Sequence, residues 1–169
     1  MDVSSLASQA TPILCVDTCS LLDIMRDPTR ETTHAHERQA AIDLVLLAET
    51  GELVLLMAQQ VETEFHAHDQ AIQDEAKGKL EKLSAQVARV NDVVATFGSS
   101  RTPDLSHFDD HVPLARAVVQ RWLDQLHVVA PGAETHSKAF ARVNANRAPA
   151  KRGKESSKDC LVHETYLEA

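Results

Sequence analysis

Aromatic residues are almost missing from this chain: one Trp, one Tyr and four Phe among 169 residues. The interior must therefore be assembled from Leu, Val, Ile and Ala. No apolar run approaches the roughly 20 residues that a membrane-spanning helix needs, so no membrane association is expected. The opening stretch MDVSSLASQATP has neither a basic start nor a long apolar segment, and no signal peptide is read there. Cysteines are only three and cannot all pair; a disulfide framework is unexpected, and a reducing, cytoplasmic setting is the simpler reading. Internal repeats and low-complexity tracts are absent.

What is present is ordinary for a globular protein of one domain: 43% hydrophobic and 25% charged residues. Such a length can bury a core without staples. The net charge of -8 by itself argues against nonspecific nucleic-acid binding, but the charge is uneven. Lys138, Arg142, Arg147, Lys151, Arg152, Lys154 and Lys158 face a single acid, Glu155, within one stretch. A basic segment on an acidic body can hold a phosphate backbone; a solvated loop is the plain alternative.

Hydrophobic spacing organises the chain. ILCV (13–16) and LVLLM (53–57) are short apolar runs closed by polar residues, which predicts two buried strands. Ser20 with Asp23 resembles a capping box for a helix over SLLDIM. Residues 36–50 have helical spacing with Gly51 as the stop. The segment 61–97 repeats apolar residues at three and four, with Gly78 as a bend or break. Residues 114–129 are predicted as one amphipathic helix, 134–145 as a short helix, and a last helix follows a cap at Ser156 or Ser157. Strands alternating with helices imply α/β with a small parallel sheet.

Three acids stand where chemistry concentrates in such folds, beyond the carboxyl ends of the strands. Asp17 ends the first strand, Glu64 follows the second, and Asp159 opens the last helix. Clustered carboxylates repel unless a cation joins them. A hard divalent ion can accept one or two directly, reach others through water, and support phosphodiester hydrolysis. Singly, each acid also reads as a turn or cap residue.

The runs ILCVDTCSLLDI, LVLLMAQQVETEF and KDCLVHETYLE resemble, in order and spacing, the PIN-domain ribonucleases. The resemblance implies a helix-rich three-layer α/β fold over 1–169, with strands in 12–64, a helical insertion over 65–130, and the basic loop and last helix in 131–169. It implies an endoribonuclease cutting single-stranded RNA with Mg²⁺ or Mn²⁺. Asp17, Glu64 and Asp159 would be the ligands, and Thr18 or Ser20 a supporting hydroxyl. Arg147, Lys151, Arg152, Lys154 and Lys158 would hold RNA. Many members are toxins with an antitoxin partner, and the class often forms homodimers. The family normally supplies a fourth acid or Asn after a further strand, and the sequence ends at Ala169 before one. Those C-terminal strands are therefore expected to be missing, unless another chain completes the site. Glu164 is the nearest substitute, but it lies about 140° around the helix from Asp159. A catalytically impaired module that binds RNA or a protein partner is the second reading, and an unrelated helical interaction protein the third.

Other constellations carry less. The HxH pairs His34/His36 and His66/His68 would point their rings about 200° apart on a helix, a poor zinc chelate. Cys15 and Cys160 read as small core residues. Cys19 stands where a phosphoaspartyl phosphatase would need a second Asp, which argues against that class. Trp122 and Tyr166 read as packing.

Overall fold

The computed structural model describes residues 11–98 and 105–169; the loose lead-in expected at the N-terminus and part of the loop before residue 111 lie outside them. Three strands, β1 (Ile13–Val16), β2 (Val54–Ala58) and β3 (Leu126–Val129), form one parallel sheet in the order β1-β2-β3. Val16 lies opposite Met57, and Ala58 opposite Val129, so the three strands end nearly level. Parallel neighbours need crossovers, and helices supply them. Between β1 and β2 run α1 (Thr18–Met25) and α2 (Ala35–Glu49). Between β2 and β3 run α3 (Gln59–Ala95), a short 3-10 turn at Ser106–Phe108 and α4 (His111–Gln125). The sheet is followed by α5 (Thr135–Asn144) and α6 (Ser157–Glu168).

Alternation along β2 divides the interior, because successive side chains point to opposite faces. Leu55 and Met57 join the main core with Val16, Leu21, Met25, Val45, Val61, Phe65, Val119 and Trp122. Leu56 faces the other way, onto Val129 and Tyr166. Helices thus cover both faces of the central strand. The long α3, 37 residues or about 55 Å, is anchored through Val61, Phe65, Ala76 and Leu80. Its far end leaves Val90, Val93 and Val94 exposed, and Phe97, just beyond the helix, is exposed too.

Several sequence expectations are corrected. The helix expected over 114–129 stops at Gln125, and LHVV becomes β3. The sheet therefore has three strands, and the stretch 65–130 contains one of them. A four-residue apolar run carries no period of its own, and pairing with Leu55–Ala58 decides its state. β1 is an edge strand rather than a buried one: Val16 is buried, whereas Ile13 and Cys15 are exposed. Cys15 is accordingly not a core residue, while Cys160 is. Gly78 does not break α3. α1 starts at Thr18, so Ser20 lies inside the helix and Asp17 is its N-cap.

Candidate active site

Asp17 leaves β1 in an extended conformation (φ -102°, ψ 155°), and its backbone carbonyl accepts the first helical bond of α1 from Ser20 N at 3.1 Å. Its carboxylate does not cap the helix. Its negative charge acts instead on the neighbouring Cys19 thiol. Burial raises the Cys19 pKa, and the Asp17 and Asp23 carboxylates raise it further. The thiol is thereby held in the protonated form, the opposite of what a nucleophile needs.

The next residue connects Asp17 to the second strand's acid. Thr18 is buried, and its hydroxyl donates to Glu64 Oε2 at 3.2 Å. Glu64 lies in the second turn of α3, on the helix that β2 feeds directly. Its other oxygen accepts from Gln60 Nε2 at 2.9 Å and faces Lys158 Nζ at 3.7 Å. Lys158 is the neighbour of Asp159, and both belong to the first turn of α6. The backbone segments bearing Asp17, Glu64 and Asp159 therefore come to one end of the sheet. Ser20, by contrast, is exposed on α1 and has no part in the Thr18–Glu64 contact.

Tyr166 locks that end. Its hydroxyl accepts from Ala58 N at 3.0 Å and donates to the Val16 carbonyl, tying the last residues of β1 and β2 together. Burial pushes its pKa up to about 12. Reading Tyr166 as packing alone missed this role; a single Tyr on an amphipathic helix carries no signal of a strand-end partner.

Glu164 is committed elsewhere. It is buried and pairs with Arg142 Nε at 2.5 Å. Arg142 also donates to the Ala148 carbonyl, pinning the basic loop to α5. Lys138 pairs with Glu168 at 2.6 Å. Two of the seven cations in the basic segment thus hold α5 to α6, Lys158 leans on Glu64, and Arg147, Lys151, Arg152 and Lys154 are exposed.

Among the described residues, no group of three or more His, Cys, Asp or Glu side chains is gathered closely enough to hold a metal ion. The donors at this end are nevertheless carboxylate oxygens, the hard type that Mg²⁺ and Mn²⁺ take. Mg²⁺ needs only one or two of them directly. The donor chemistry fits such an ion, while a closed three-acid cage is not formed. His34 and His36, at the start of α2, stack with ring centroids 5.4 Å apart.

A protein-family model described as PIN domain matches residues 14–169. The chain is a PIN-domain protein. The match spans all three acid-bearing segments. PIN domains are generally nucleases that use divalent metals and act on nucleic acid, and this is the coarse function that membership brings. No curated protein and no solved structure matches this PIN domain significantly. No helix among its described residues is long and apolar enough to cross a membrane.

Proposed function

We propose that this PIN domain is a metal-dependent endoribonuclease that hydrolyses phosphodiester bonds of single-stranded RNA. The observation that carries the reading is the Thr18–Glu64 hydrogen bond together with the Lys158–Glu64 approach, which bring three acid-bearing segments to one sheet end. Asp17, Glu64 and Asp159 would hold Mg²⁺ or Mn²⁺. When bound, such an ion lowers the pKa of a water and neutralises phosphate charge. Thr18 keeps one Glu64 oxygen oriented. Lys158 supplies positive charge beside the same carboxylate. The exposed Arg147, Lys151, Arg152 and Lys154 give the acidic body a local phosphate-attracting surface.

The test is cleavage of a labelled single-stranded RNA with added Mg²⁺ or Mn²⁺. Activity is expected to disappear with chelator, with Asp17→Asn and with Asp159→Asn, while circular dichroism shows the fold unchanged. Cleavage that persists in Asp17→Asn refutes the reading. RNA binding indifferent to chelator and without cleavage would favour the impaired binding module instead.

A further inference from the structure

A cavity of about 760 Å³ lies beside the acid-bearing end, between β1, α1, the turn after α1 and the start of α2. It falls within the range of small-molecule sites, about 300–1,000 Å³. Val16 and Cys19, on either side of Asp17 in the chain, line it, so the cavity opens next to the candidate active site.

Its walls differ in character. Leu14, Ile24 and Leu44 form an aliphatic side. Arg26, Arg30 and Arg38 also line it, against two carboxylates, Asp23 and Glu37. That is an excess of positive charge in a chain whose net charge is -8. Arg26 faces Asp23 at 2.5 Å. Among the described residues no ion pair engages Arg30, which stands exposed on the turn.

Two of the cavity's guanidinium nitrogens, Arg26 Nε and Arg38 Nε, are buried without a hydrogen-bond partner among the described residues, as is Nε2 of His111, the first residue of α4, which does not line the cavity. Burial lowers the His111 pKa, and the positive charge of Arg38 lowers it further. Buried polar groups normally find partners, and an orphaned donor calls for an explanation. A bound anion would give the Arg38 Nε–H its acceptor, and guanidinium forks match phosphate oxygens.

We propose that this cavity binds a backbone phosphate of single-stranded nucleic acid, with Arg26, Arg30 and Arg38 on the phosphate and the aliphatic wall against the adjoining nucleoside. The proposal rests on the nuclease reading and assigns the substrate strand a second path, distinct from the 147–158 loop. No exposed aromatic platform lines the cavity, since Trp122 at its edge is buried with its indole N–H on the Ala41 carbonyl at 3.0 Å. Affinity there is electrostatic and falls with salt.

The full chain is titrated with a fluorescent single-stranded RNA oligonucleotide in chelator, at several salt concentrations. The Arg30→Ala/Arg38→Gln double variant is expected to bind about tenfold more weakly, with the slope of log K against log salt reduced by about 0.7, the value of one phosphate contact. If Arg38→Gln fails to fold, Arg30→Ala alone is expected to lower the affinity and to reduce the slope by a part of that value. RNA bound by the variant with unchanged affinity and slope overturns the cavity assignment and leaves the nuclease reading, tested separately by Asp17→Asn cleavage, intact. No RNA binding by the wild-type chain overturns it as well. A glutamate-rich peptide that binds the wild type in preference to RNA, and is lost in the variant, overturns it in favour of a protein partner.

Discussion

Replacing Tyr166 with Phe removes one oxygen from the place where β1 and β2 end. Ala58 is fully buried, and the Tyr166 hydroxyl accepts its N–H; the same hydroxyl donates to the Val16 carbonyl. An orphaned buried group costs about 1–3 kcal/mol, so Tyr166→Phe is expected to destabilise the chain by about 2 kcal/mol near neutral pH. For a protein of this size that is about 4–8 °C in Tm. The difference should also depend on pH. Burial raises the Tyr166 pKa from 10.0 to about 12. The folded phenol holds its proton more tightly than the unfolded one, so its contribution is complete below about pH 10 and is lost as pH rises through about 12. The displacement corresponds to about 2.7 kcal/mol, reduced to about 1–2 kcal/mol by solvent screening at the half-buried ring. The assay is urea unfolding of wild type and Tyr166→Phe across this range, with tyrosinate absorbance reporting the chain's single Tyr. Convergence of the two stabilities above pH 10 is expected. A gap below about 0.5 kcal/mol at pH 7, or one unchanged in alkali, would refute the strand-end role.

Other perturbations separate structure from chemistry. Arg142→Ala leaves the buried Glu164 carboxylate unpaired and is expected to cost about 3–5 kcal/mol in denaturant unfolding. Glu164→Gln should lower stability without altering the metal requirement of cleavage; a changed metal dependence would make Glu164 a ligand after all. Thr18→Val removes the bond to Glu64 and should cost about 1 kcal/mol, with a larger proportional loss of RNA cleavage in the same preparation. Mass spectrometry after alkylation near neutral pH should find slow modification of Cys15 and Cys19, whose thiols burial holds above their ordinary pKa, and still slower modification of the enclosed Cys160.

Local chemistry was enough to read the strand-then-acid pattern at ILCVD, the helical stripe that became α3, the stop at Gly51 and the concentration of cations after residue 138. These depend on short-range periodicity and on backbone preferences, such as the positive φ of 78° at Gly51. The candidate ligands were legible because their segments end or begin regular elements. What stayed hidden needed partners distant in sequence. LHVV is a strand because β2 presents it a ladder, and without that ladder it continues a helical stripe. Arg142 and Lys138 were two more charges of a basic segment until α6 brought Glu164 and Glu168 against them. Arg26, Arg30 and Arg38 are scattered among acids in the sequence, and only the packing of α1 and α2 around β1 turns them toward one cavity. Tyr166 reaches β1 across 150 residues of chain. Composition and spacing chose the elements; desolvation and pairing between remote segments chose which charges were left free to act.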